Sequence, residues 1–102
     1  MHGYIPPKRF LPYLTWTDID ALPDRENTVI VLPVGAIEQH GPHLPCAVDS
    51  VISSGVMGRA LEMLGEDIRA FALAPITYGK SDEHLHFPGT MTLTGPTLLA
   101  VV

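Results

Sequence analysis

Two short runs of the chain are apolar without interruption. Val29-Ile30-Val31-Leu32 and Phe71-Ala72-Leu73-Ala74 lack alternation, the pattern of strands buried on both faces of a parallel sheet. Between them, from Ser50 to Leu64, Ile52, Val56, Ala60 and Met63/Leu64 recur at helical spacing, and Gly65 is placed to end the helix. This strand, loop, helix, strand order predicts an α/β fold with a parallel sheet. Weaker signals frame that unit. Tyr4 to Phe10, with Pro6 and Pro7, reads as an extended arm. Thr17 can cap a short helix over residues 18–22, with Asp18 and Asp20 favoured in its first turn and Pro23 stopping it. Thr94 can cap a last helix that has Pro96 in its first turn. That helix runs through Leu98-Leu99-Ala100-Val101-Val102 with no glycine or basic exit, and reads as cut in mid-pattern.

Composition narrows the class. With 102 residues, 46% of them hydrophobic and 17% charged, the chain has the makings of one modest core and is not a disordered tail. Six Lys and Arg against eleven Asp and Glu give a net charge of −5, which argues against a nucleic-acid partner, since that would need a basic stripe. The single cysteine, Cys46, cannot close an intrachain disulfide or build a Cys-rich zinc site, and reads as a small packing residue. The apolar stretch from Thr28 to Ile37 is broken by Pro33 and Gly35 and is too short to span a membrane. No targeting pattern stands at the start. The expectation is a soluble cytoplasmic protein with no membrane partner.

The chemistry gathers in the two loops that follow the apolar runs, where open parallel sheets place their ligand sites. In the first, Gly35-Ala36-Ile37-Glu38-Gln39-His40-Gly41-Pro42-His43-Leu44-Pro45, Glu38 and His40 are two apart. In an extended segment both side chains share one face, with Cα atoms roughly 6.6–7 Å apart. A carboxylate and an imidazole converging in this way suit zinc or manganese. Asp49 arrives at the start of the next helix, where its carboxylate could cap the helix or point back toward the same space. Glu38 lies beside a hydrophobic strand end, where an unpaired carboxylate is costly, and so calls for a cation or several donors. His43, between Pro42 and Pro45, reads as loop-shaping. The second loop, Tyr78 to Thr90, packs Ser81, Asp82, Glu83, His84 and His86 into six residues. An exposed polar loop accounts for Lys80 and Asp82 but less well for the crowding of Ser81, Glu83 and His84. His84 and His86, again two apart, could form a second ligand pair, as in a mononuclear metal-binding module. No glycine-rich phosphate cradle is present.

Taken together, the two loops resemble the creatininase (creatinine amidohydrolase) family. Leu32-Pro33-Val34-Gly35-Ala36-Ile37-Glu38-Gln39-His40-Gly41-Pro42-His43-Leu44-Pro45, with Asp49 downstream, is similar to the family's first signature. Tyr78-Gly79, Ser81, Glu83-His84 and Phe87-Pro88-Gly89-Thr90 are similar to its second. The resemblance covers roughly residues 15–102. It implies a three-layer α/β/α fold around a mostly parallel sheet, of which residues 1–102 would be the N-terminal portion of a single domain. It also implies a dinuclear centre of zinc, with manganese as a second option: Glu38 would bind one ion, His40 the other, and Asp49 would bridge them. Ser81 would fall near the bound substrate. The implied reaction is hydrolysis of a non-peptide C–N bond, in a small cyclic amide or formamide, by a hydroxide held between two ions. A positioned acid would protonate the departing nitrogen, and no residue here is assigned that role. Hexamers are the implied assembly.

The family's Asn-Gly-His-x-x-Asn-type segment and its later substrate-facing aromatics are not in this sequence. The expectation is therefore a chain that alone binds metal weakly and is not catalytically competent. A non-catalytic remnant, or a partner subunit of such an enzyme, is the alternative.

Overall fold

The computed structural model describes residues 2–102. The chain divides into two compact units: Met1–Pro33 with Ser54–Ala74, and Val34–Ser53 with Pro75–Val102. The elements in order are α1 (Trp16–Asp20), β1 (Val29–Val31), α2 (Val48–Glu62), β2 (Ala70–Ala72) and α3 (Gly95–Val101), joined by loops with four short 3-10 turns. This is an α/β architecture.

In the first unit β1 and β2 pair in parallel, Val29 with Ala70, Ile30 with Phe71 and Val31 with Ala72. The core consists of Ile5, Phe10, Leu61, Ala70 and Ala72, with Met57 and Ala74 packed against it. The segment expected to be an extended arm is thus part of the core. Ile5 and Phe10 are 1% and 0% exposed, and Phe10 bridges to Ala72. Burying two such side chains stabilises the unit by about 1.5–3 kcal/mol each, which outweighs the extended preference of Pro6 and Pro7.

Three further expectations need correction. Val29 and Ile30 are 55% and 46% exposed, so β1 is not covered on both faces: its ladder partner β2 lies beside it in the plane of the sheet and covers neither face. The buried face of α2 is also not the apolar one. Ile52, Val56 and Met63 are exposed, whereas Ser54, Gly58 and Leu61 are buried. Close approach selects small residues here: a Cβ on Gly58 would lie 2.0 Å from the Tyr4 carbonyl oxygen. The cap of α1 is Thr15 rather than Thr17. Its side chain accepts from the Asp18 backbone N–H while Asp18 accepts from the Thr15 N–H, a reciprocal box that Thr17 cannot make. The start of α3 is as expected, with Thr94 accepting from Thr97 N–H.

The joint between α2 and β2 depends on Arg9. Arg9 is 8% exposed, and its guanidinium donates to the carbonyls of Leu64, Gly65, Ile68 and Ala70, at 3.4, 2.9, 2.5 and 3.3 Å. The Leu64 and Gly65 carbonyls lie just past the end of α2, where partial negative charge collects, so a cation there is favoured.

Two outcomes follow from this packing. Arg9→Ala should lower the unfolding free energy in denaturant by about 3 kcal/mol, from the loss of charged hydrogen bonds to buried carbonyls, with Arg9→Lys recovering only part of it. The Thr15 hydroxyl and N–H hold the Asp18 carboxyl below its ordinary value of 3.8. A depressed acid contributes stability above its unfolded pKa, and that contribution disappears as pH falls through the folded one. In an NMR titration the Asp18 carboxyl should therefore ionise below 3.8, and Thr15→Ala, which removes the hydroxyl but keeps the N–H, should return it part of the way to the ordinary value.

Candidate metal centre

The second unit contains both loops. Gly35 N–H donates to the Ile76 carbonyl at 2.8 Å, Met91 N–H to Ile37 at 2.9 Å, and Leu93 N–H to Gly79 at 2.9 Å. Glu38 N–H donates to the Cys46 carbonyl at 3.0 Å, and Gln39 N–H to the Thr90 hydroxyl at 3.2 Å. Glu38 and Gln39 are therefore pinned from both sides by backbone contacts. The start of α2 is seated by Ser50. Its hydroxyl lies 3.0 Å from the Ala36 carbonyl and 2.7 Å from that of Thr77, and a Cβ on Gly35 would meet it at 2.4 Å. These contacts fix where Asp49, in the first turn of α2, presents its carboxylate.

The structure brings Glu38, His40 and Asp49 together, with one ligand-type atom of each within 4.8 Å of the others. Asp49 is a residue of the first turn rather than the cap, so its side chain is free to face the loop. The His40 ring is oriented by the backbone: Nδ1 lies 3.0 Å from the Glu38 carbonyl oxygen. That oxygen can only accept, so Nδ1 carries the proton and, in the neutral ring, Nε2 presents a lone pair. Nε2 in turn lies 3.1 Å from Asp49 Oδ1. Glu38 is 13% exposed, and its Oε2 is buried without a hydrogen-bond partner.

The charge balance is equally one-sided. The Glu38 carboxyl is held above its ordinary value of 4.5, first by hydrogen-bonding contact with Asp49 and then by burial, while His84 opposes the rise. His40 is raised above 6.5, first by its bond to the Glu38 carbonyl and also by Asp49, with burial working the other way. Two carboxylates and an imidazole converge on one space, and the proton that His40 Nε2 shares with Asp49 Oδ1 at 3.1 Å in the metal-free chain is one a cation would replace, so the donor set fits a divalent cation.

The remaining candidates are placed as follows. Ser81 is fully buried, its Oγ has no partner, and its N–H donates to the Thr92 hydroxyl at 2.8 Å. It begins the 3-10 turn Asp82–His84. His84 Nε2 lies 3.5 Å from Glu38 Oε2, and Glu38, Glu83 and His84 form a second acidic group. The alternative His84–His86 ligand pair does not form: His86 is exposed and lies against Phe87, ring centroids 4.3 Å apart and tilted by 43°. The chain turns at this point, so the two-residue spacing of a strand does not apply. His43 is exposed, and Cys46 is half-buried and serves Glu38 through its carbonyl. Gln39 carried no signal in the sequence, yet its amide joins His84 to the Gly41 backbone. A concavity of about 390 Å³ opens beside His40, lined by Gln39, Gly41, Pro42, Cys46, Phe87 and Pro88.

A family model described as creatinine amidohydrolase matches residues 12–102. The chain belongs to the creatininase family. It is 38% identical over 98 residues to a creatinine amidohydrolase from Pseudomonas putida, covering 91% of this chain and 36% of that one. It is 43% identical over 67 residues to a mycofactocin precursor peptide peptidase from Mycolicibacterium smegmatis, covering 64% and 27%. Among solved structures it resembles a crystal structure of creatininase, with a TM-score of 0.76 and 38% identity over 91% of this chain and 36% of the other. It also resembles a creatininase designated Mn (TM-score 0.73, 37% identity, 87% and 35% covered) and a mutant creatininase of Zn-Zn type (0.75, 36%, 90% and 36%). The α/β fold is thus that of the creatininases. The chain spans about a third of the length of the curated relatives it matches.

A buried, unpartnered carboxylate oxygen destabilises the metal-free chain. Glu38→Gln, which removes the charge facing Asp49 and supplies a donor, should raise the unfolding free energy of the metal-free protein by on the order of 1 kcal/mol. A loss of stability in a denaturant melt would contradict this reading of the site.

Proposed function

We propose that this chain supplies one side of the dinuclear metal centre of a creatininase-type amidohydrolase, which hydrolyses a non-peptide C–N bond in a small cyclic amide or formamide. The observation that carries the proposal is the convergence of Glu38, His40 and Asp49 within 4.8 Å in a member of this family. In this reading residues 1–102 are the N-terminal portion of a single creatininase-like domain of a cytoplasmic enzyme, hexameric when complete. Glu38 would hold one ion, His40 the other, and Asp49 would bridge them. Relatives designated Mn and Zn-Zn support zinc or manganese as the ions. When bound, such a pair supplies a hydroxide at neutral pH and polarises the amide carbonyl.

The chain's own residues orient these parts. The Glu38 carbonyl keeps the His40 proton on Nδ1 and so leaves Nε2 to ligate. The turn begun by Ser81 closes the second loop, and Ser81 would lie toward the substrate. The concavity beside His40 suits a small molecule, because pockets of roughly 300–1,000 Å³ are the usual range for such ligands. Three ligands do not fill two ions. The chain alone should therefore bind metal weakly and turn over no creatinine.

Calorimetric titration with Zn²⁺ and Mn²⁺ tests the proposal. Weak binding should be abolished by Glu38→Ala and by Asp49→Ala and retained in His86→Ala. Tight binding of two zinc ions per chain, or binding indifferent to Glu38→Ala, would overturn the assignment.

A further inference from the structure

Two hydrogen bonds, from Gly41 to Gln39 and from Gln39 to His84, fix the chemical state of His84 beside Glu38. The Gly41 backbone N–H donates to Gln39 Oε1 at 2.9 Å. A backbone N–H can only donate, so this contact settles which end of the Gln39 amide is oxygen. The other end, Nε2, is therefore a donor, and it lies 3.2 Å from His84 Nδ1. Facing a donor, Nδ1 must accept, and a neutral imidazole whose Nδ1 accepts carries its proton on Nε2. That Nε2 is the atom 3.5 Å from Glu38 Oε2, the buried carboxylate oxygen that has no hydrogen-bond partner of its own.

His84 and His40 are thus set in opposite states by the same short loop. For His40 a carbonyl acceptor at Nδ1 frees Nε2 as a lone pair. For His84 an amide donor at Nδ1 forces a proton onto Nε2. A protonated ring nitrogen cannot ligate an ion, so Glu38, Glu83 and His84, although grouped, do not make a second ion site through His84. We propose that His84 is a positioning residue. Its Nε2–H, aimed by Gln39 and Gly41, engages Glu38 Oε2 and leaves Glu38 Oε1 to the ion. This rests on the metal reading above, in which Glu38 is a ligand. Donors to ligating carboxylates fix their orientation, and their loss weakens metal binding by roughly 10–100-fold.

The test uses the full chain labelled with ¹⁵N, metal-free, at a pH where its imidazoles are neutral, with side-chain ¹H–¹⁵N correlations reporting which nitrogen of each ring holds the proton. The expected result is Nε2–H for His84 and Nδ1–H for His40, with Gln39→Ala releasing His84 to a mixture of tautomers. On addition of Zn²⁺, His84 should keep its Nε2 proton while the His40 Nε2 resonance shifts on ligation. Zinc affinity should fall at least tenfold in His84→Ala, and His84→Gln, which restores a donor, should recover much of it. A proton on His84 Nδ1, its loss from Nε2 on zinc binding, or equal affinity of His84→Ala and the parent chain would overturn the proposal. A chain with the expected tautomer that binds no zinc would remove the metal reading, and the positioning role with it. The tautomer measurement keeps that failure separate from failure of the hydrogen-bond chain.

Discussion

Two carboxylates and an imidazole crowded around one space are the constraint on which the second unit depends. Glu38, His40 and Asp49 present acceptor atoms within 4.8 Å of each other. For two unit charges 4–5 Å apart, repulsion is about 3–4 kcal/mol at an effective dielectric constant of about 20, and solvent reaching Asp49 reduces it. Folding alone gives no reason to accept that cost. Backbone contacts must hold the groups in place, and a cation makes the arrangement favourable.

The surrounding structure is built accordingly. Both loops are tied to each other through main-chain groups, so their positions do not depend on the charges they carry. Close approach is obtained by removing side chains rather than by packing large ones: Gly35 lies against Ser50, and a Cβ on Gly79 would come within 2.3 Å of the Gly35 carbonyl oxygen. In the first unit Arg9 has the complementary task, a buried cation satisfying backbone carbonyls. Lys8, Arg25, Arg59, Arg69 and Lys80 pair with carboxylates, whereas the buried cation is thus partnered by main-chain dipoles. The two site histidines follow the same rule, since their tautomers are set by a carbonyl in one case and by an amide, itself fixed by a backbone N–H, in the other.

Much of this was legible in the sequence. The uninterrupted runs at Val29 and Phe71 gave the parallel pair, and the spacing of Glu38, His40 and Asp49 gave the group that the structure assembles. Thr94 and Pro96 marked the start of α3. What periodicity could not show was which face of α2 is buried. Ile52, Val56 and Met63 look like a core stripe, but the backbone of Tyr4 passes so close to the helix that only Gly58 fits there. The role of Ile5 and Phe10 was hidden for a related reason, because prolines disguise a core segment as an arm. His84 and His86 misled through their spacing, since the 3-10 turn ending at His84 rotates the second histidine away. Gln39 left no trace, because a neutral amide acquires meaning only from what it touches.

The central claim is that the Glu38, His40 and Asp49 cluster is a cation site, and anomalous X-ray scattering from crystals of the chain grown with zinc tests it most directly. A peak at the zinc edge among the Glu38 carboxylate, His40 Nε2 and the Asp49 carboxylate is the predicted result. A peak on His84 or His86 instead, or ordered density for all three side chains with no peak between them, would contradict the account.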